Sequence, residues 1–280
     1  MFRAILFFLM LTGAARAEGI VVDLPIVGAL VGAVVQDRPV TVLAEGQSDP
    51  HGLSLRPSQA RALAEADLIV HLGSGLSPAL ERAIAEAGVP TVNLADVVGA
   101  AHAHTEDAEE ADHGHGDEDP HLWLDADHVA PWIGAIGRAL GHSAPHDAGT
   151  YSAQVERALD SVRSGLSDPP RLLLAHDSWS RLLAHLELPR YPAISDSHAS
   201  APGAQHLSAL RDRIAAGEVD CILAAPGDPM SQAEALSADF DLPVVTADPQ
   251  GDPTLDGLAR YVSIFTGFAD ALADCQAKAM

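Results

Sequence analysis

Short runs of β-branched and apolar residues alternate along the chain with stretches in which apolar positions recur at helical spacing. In the first half this pattern predicts strands at Ile20–Val22, Val40–Leu43, Leu68–His71 and Thr91–Asn93. Helices are expected between them over Leu24–Val35, Pro57–Ala66 and Pro78–Ala87. Pro57 suits a first helical turn, because its missing N–H would be unpaired there in any case. The second half repeats the pattern, with strands at Leu172–Ala175, Arg190–Ile194, Cys221–Ala224 and Val244–Thr246. Its helices are expected over Ser178–Leu186, Ala204–Ala216, Ser231–Phe240 and Thr254–Leu272. Strand and helix in alternation is the signature of βαβ units. The expected fold class is therefore α/β, with two lobes of roughly four parallel strands each.

Three segments stand outside the alternation. Over Ala144–Leu166, Tyr151, Val155, Leu159 and Val162 recur at helical spacing, so one long helix should join the lobes and restrain them more than a Gly/Ser linker would. Residues 102–119 hold His102, His104, His113 and His115, eight acidic residues and no Lys or Arg, a composition that suits a loop rather than a packed element. The first seventeen residues pass from Arg3 through an apolar stretch to Ala15-Arg16-Ala17, which reads as a secretory signal peptide too short to span a bilayer. The expected organisation is a leader over 1–17, a first lobe over 18–143, a linking helix over 144–167 and a second lobe over 168–280.

Composition narrows the partners. Sixteen basic residues stand against 39 acidic ones, for a formal net charge of -23, and loss of Arg3 and Arg16 with the leader makes it -25. A polyanion would be repelled, so nucleic acid is excluded, whereas cations are attracted. Two cysteines occur, Cys221 and Cys275. In an exported chain they read as a structural disulfide rather than a thiolate metal site, because neither has a close Cys or His partner.

The chemistry is concentrated in histidine. In parallel α/β sheets, ligands gather at the carboxyl ends of the strands. His51, His121, His176 and Asp248 all fall in such positions, and three imidazoles with a carboxylate form a donor set suited to tetrahedral zinc. Pro50 and Pro120 precede two of the histidines and constrain their backbone; Pro249 follows Asp248. Asp177-Ser178 is expected to cap the helix after His176. His71 reads as structural or cleft-lining. His128, His142, His146, His185, His198 and His206 read as solvated. A zinc hydrolase is the rival class, since three histidines and a water form a catalytic arrangement, but there is no His-Glu-x-x-His and no second acid placed for proton transfer. A surface adhesin is a third class, disfavoured by the absence of a lipid-anchoring cysteine near Ala17. Copper and nickel are rivals to zinc within the binding class, copper being favoured by affinity order alone.

These same residues carry a resemblance. His51-Gly52-Leu53-Ser54-Leu55-Arg56-Pro57-Ser58, Asp119-Pro120-His121-Leu122-Trp123-Leu124-Asp125, Ala175-His176-Asp177-Ser178, Pro202-Gly203-Ala204-Gln205 and Asp248-Pro249-Gln250-Gly251 together resemble the zinc-binding periplasmic components of ABC importers, of the ZnuA and AztC types in cluster A-I. The resemblance runs through essentially the whole chain after the leader. It implies that His51, His121 and His176 are imidazole ligands and Asp248 the carboxylate ligand of one tight zinc site. Manganese-binding relatives carry Glu at the third position, so His176 points to zinc. It also implies the pairing of Cys221 with Cys275, a periplasmic location, delivery of zinc to a membrane permease and no enzymatic activity. The His102, His104, His113 and His115 loop is expected to supply additional weak zinc capture. A periplasmic zinc chaperone is a candidate further partner, and the chain is expected to be a monomer. Leu53, where the family commonly has an aromatic, and Ala225, where Glu often follows the seventh strand, are departures.

Overall fold

A computed structural model describes residues 19–44, 51, 53–73, 75–99, 119–141, 148–166, 168–189, 191–195, 202–228 and 230–279. The leader, residues 102–118 of the His-rich loop, His142, His146 and His198 therefore lie outside the described residues, as does the start expected for the linking helix. In the first lobe β1 (Ile20–Val22), β2 (Val40–Val42), β3 (Leu68–His71) and β4 (Thr91–Asn93) alternate with α1 (Pro25–Val34), α2 (Pro57–Glu65) and α3 (Pro78–Ala87). After β4 come α4 (Leu94–Val97), two short 3-10 turns at Leu122–Leu124 and Ala126–His128, α5 (Val129–Ala139) and α6 (Ala148–Ser164). The second lobe contains β5 (Leu172–His176), α7 (Ser180–His185), β6 (Ala193–Ser195), α8 (Ala204–Ala215), β7 (Cys221–Ala224), α9 (Met230–Phe240), β8 (Val244–Thr246) and α10 (Gly257–Ala279).

Both sheets are four-stranded and parallel, in the orders β2-β1-β3-β4 and β6-β5-β7-β8, so the expected two-lobed α/β fold is what forms. The period of two along each strand divides the core. Ile20, Val22, Leu68 and Val70 face an inner cluster, whereas Val21 and Ile69 face an outer one with Leu63 of α2 and Leu80 and Ile84 of α3. The second lobe does the same. Leu172, Leu174, Cys221 and Leu223 point inward, while Leu173 and Ile222 point outward to Leu210 and Ile214 of α8 and Leu236 of α9.

The inner cluster belongs to both lobes. Helices α1, α5, α6 and α10 form a shared layer between the sheets, with α10 packed on α1 and α6, and α6 on α5. Tyr261, Ile264, Phe265 and Phe268 of α10 are fully buried there. Each large side chain so buried is worth roughly 1.5–3 kcal/mol, so separating the lobes would expose a continuous core. Polar bonds reinforce it: Tyr151 Oη donates to Ala33 O at 2.6 Å, and Tyr261 Oη donates to Trp123 O at 2.6 Å. The Cys221–Cys275 disulfide, with a Cα–Cα distance of 5.9 Å, ties β7 to the end of α10 as expected.

Several boundaries depart from the sequence pattern. Helix α10 begins at Gly257 rather than Thr254 and runs past Leu272 to Ala279, because its inward face continues through Cys275. Helix α5 has no counterpart among the elements expected from the pattern, and its Pro131, Gly134 and Gly137 weaken intrinsic helix propensity. Burial of Trp132, Ile133 and Ile136 overrides that preference. Asp177-Ser178 does not cap α7; the residue at the cap is Trp179, which makes no side-chain cap bond, and Asp177 instead accepts from Ser180 Oγ.

Candidate metal centre

Three of the predicted site residues converge. His51 stands beyond β2, His121 lies at the start of the first 3-10 turn, and His176 is the last residue of β5. Their candidate donor nitrogens all lie within 4.8 Å of one another. The rings stand edge to face, with centroids 5.4 Å apart for His51 and His121, 5.6 Å for His51 and His176, and 5.4 Å for His121 and His176. His121 and His176 are buried, and His51 is half-buried. Two residues come from the chain before α6 and one from after it, so the cluster sits at the junction of the lobes.

Asp119 orients one ring. Its Oδ1 accepts from the backbone N–H of His121 at 2.9 Å, closing a turn, and lies 2.7 Å from His121 Nδ1. A carboxylate at Nδ1 holds the proton there and leaves Nε2 as the donor to a metal. Burial pushes the Asp119 carboxyl up. The hydrogen bonds and charge of His121, together with Arg181, more than offset this and hold it below the usual carboxylate range. Arg181 of α7 also donates through Nε to Asp119 O at 3.0 Å, so a second-lobe side chain steadies the first-lobe turn.

Asp248 follows β8 but is not part of the cluster within 4.8 Å. Its Oδ1 accepts from Gln250 N at 2.8 Å, and burial raises its carboxyl above the ordinary value. The turn is nevertheless held against the cluster: Trp123 Nε1 donates to Pro249 O at 2.6 Å, and the Trp123 ring lies 5.2 Å from that of His121. Gly251 closes it at φ +71°, where an added Cβ would fall 2.3 Å from Arg260 O, so only glycine fits.

In the first lobe Asp23, His71 and Ser77 line a small cavity. Asp23 accepts from Leu24 N at 2.8 Å and Leu72 N at 2.7 Å, yet burial pushes its carboxyl up to about 7. Burial lowers His71 to about 4, so its ring stays neutral. Of the other histidines expected to be solvated, His206 is exposed, with Nε2 2.8 Å from Ala193 O, whereas His128 and His185 are partly buried: His128 Nδ1 lies 2.9 Å from Leu122 O, and His185 is packed near Asp125. Hydropathy pattern does not reveal such burial, because it is set by neighbours distant in sequence. Asp119 and Arg181 were not assigned roles from sequence. An Asp two residues before a ligand-type His was a usable signal for Asp119; Arg181 had none.

The family model for the periplasmic zinc-uptake complex component A, ZnuA, matches residues 20–275. The chain is 33% identical over 305 aligned positions to the high-affinity zinc uptake system protein ZnuA of Paracoccus denitrificans (strain Pd 1222), covering 93% of each chain. It is 24% identical over 314 positions to the protein of the same name from Brucella suis biovar 1 (strain 1330), covering 95% of this chain and 93% of that one. Its fold is similar to a crystal structure of ZnuA, with a TM-score of 0.74 at 22% identity over 92% of this chain and 99% of that one. The periplasmic zinc binding protein TroA from Treponema pallidum gives a TM-score of 0.74 at 19% identity, covering 92% and 98%.

Proposed function

This chain belongs to the family of the periplasmic zinc-uptake complex component A, and we propose that it captures one zinc ion tightly in the periplasm and delivers it to the membrane permease of an ABC importer. The observation that carries the reading is the convergence of His51, His121 and His176 at the junction of the lobes. Neutral imidazole is a preferred zinc ligand, and three such donors suit zinc better than calcium or magnesium, which favour oxygen. Asp248 is the proposed fourth ligand. Its turn is suspended from Trp123 beside His121, and coordination needs Asp248 Oδ2, the oxygen not bonded to Gln250 N, to close on the imidazoles.

With four protein donors the ion has no open position for an activated water, so the role is binding rather than hydrolysis. Ligands drawn from both lobes make zinc affinity sensitive to lobe separation, and that gives a route to release when the permease engages the two lobes. The acidic loop with His102, His104, His113 and His115 is proposed to capture further zinc weakly, and the leader at 1–17 to direct export. The chain is proposed to act as a monomer, with a periplasmic chaperone as a further source of zinc. Among the described residues no helix is long and apolar enough to cross a membrane.

The test is metal analysis and chelator competition on the full chain purified from periplasm. One tight zinc is expected, with a sharp loss of affinity in His176→Ala and a smaller loss in Asp248→Ala, because three imidazoles still hold zinc with water in the fourth place. Unchanged tight binding in His176→Ala would overturn the site. Metal-dependent turnover of activated esters by the unaltered chain would overturn the non-catalytic role.

A further inference from the structure

One other group of ligand-type side chains comes together among the described residues: Asp125, Asp127 and His185, whose donor atoms lie within 4.8 Å of one another. Asp125 caps the second 3-10 turn of the first lobe, Asp127 lies within that turn, and His185 ends α7 in the second lobe. Asp125 Oδ1 accepts from Asp127 N at 3.1 Å, and the side-chain contacts around it are longer than hydrogen bonds. His185 Nδ1 is 3.9 Å from Asp125 Oδ1, and its Nε2 is buried with no hydrogen-bond partner. His128 Nε2 is 3.5 Å from the other oxygen, Asp125 Oδ2. Because His128 Nδ1 lies 2.9 Å from the Leu122 carbonyl, which can only accept, the ring proton sits on Nδ1. A neutral His128 then presents its Nε2 lone pair to a carboxylate. Zinc bonds of about 2.0–2.2 Å place tetrahedral ligands roughly 3.3–3.6 Å apart, so the 3.9 Å pair of His185 and Asp125 closes by a few tenths of an ångström around an ion.

We propose that Asp125, Asp127 and His185 form a second, exchangeable zinc site that bridges the lobes, with His128 at its edge. Two carboxylates and an imidazole favour a borderline divalent ion over calcium or magnesium. Asp127 is exposed, so water completes the shell and the ion exchanges readily. This group shares no ligand with the His51 cluster, but Asp125 is on the segment that carries His121, and α7 follows directly from His176. A cation here clamps those two segments together behind the principal site.

The probe is zinc itself, in crystals of the full chain grown with excess metal and measured above and below the zinc absorption edge. An anomalous peak is expected among Asp125, Asp127 and His185, weaker than any peak at the His51 cluster. It should vanish in His185→Gln while the His51 peak remains, and in titration His185→Gln should lose one weak zinc equivalent with tight affinity changed less than about twofold. No peak at this position in the unaltered chain at saturating zinc would overturn the proposal, as would a peak that persists undiminished in an Asp125→Asn, His185→Gln double variant. A missing peak at the His51 cluster would count instead against the principal site, so the two failures are distinguishable.

Discussion

Replacing Asp119 by Asn removes one negative charge and keeps the shape of the side chain. In the native turn Oδ1 accepts both the backbone N–H of His121 and, at 2.7 Å, the proton on Nδ1. An Asn oxygen can keep one of these bonds, but it is a weaker acceptor and no longer favours the Nδ1–H tautomer that leaves Nε2 able to coordinate. If the amide turns its NH2 toward the ring, it selects the opposite tautomer and takes Nε2 out of ligation. Arg181 also loses the carboxylate oxygen 3.7 Å from its Nε, although it keeps the bond to Asp119 O. Removing such an orienting partner costs roughly 10–100-fold in metal affinity, or about 1.4–2.7 kcal/mol. Because His51 and His176 are untouched, one zinc should still bind, with the same stoichiometry and a higher dissociation constant. Competition against a chelator at fixed neutral pH measures this directly, and circular dichroism confirms that the variant is folded. Affinity equal to that of the native chain would refute the reasoning, because it would mean that the Asp119 carboxylate does not set the state of His121.

Trp123→Phe keeps the ring beside His121 but deletes the bond to Pro249 O; stability should fall by about 1 kcal/mol in thermal melts, and zinc affinity should fall with it as the Asp248 turn loosens. Reducing the Cys221–Cys275 bridge, which closes a separation of 54 residues, should cost about 2–4 kcal/mol, read as the shift in urea unfolding with and without reductant. His71 sits near 4, below its ordinary 6.5, so its contribution is complete above about pH 6.5 and is lost as pH falls toward 4; the stability advantage of the native chain over His71→Asn should shrink by about 2.5 kcal/mol between pH 7 and 4.5 in denaturant melts of metal-free protein. Asp23, raised from 3.8 to about 7, has the opposite sign: the stability it contributes below about pH 4 is lost as pH rises from 4 to 7, so Asp23→Asn should flatten the decline of stability over that range.

Much of this protein is determined by local pattern. The strands are apolar runs bounded by turn residues, and a period of two along them sends Ile20 and Val22 one way and Val21 the other without reference to the rest of the chain. Parallel strands need helical crossovers, so alternation alone implies ligand positions at the strand carboxyl ends. That made His51, His121 and His176 legible as candidates. Proximity was not legible, because three rings separated by 70 and 55 positions meet only when the two sheets are locked through the shared layer of α1, α5, α6 and α10. Tertiary burial also formed α5 against its glycines and proline and extended α10 through Cys275. It gave Arg181 a partner in the other lobe and drew His185 toward Asp125, a pair that nothing in local sequence links. Period and propensity act over a few residues, whereas the burial, protonation and spacing of a polar side chain are set by whatever the fold brings against it.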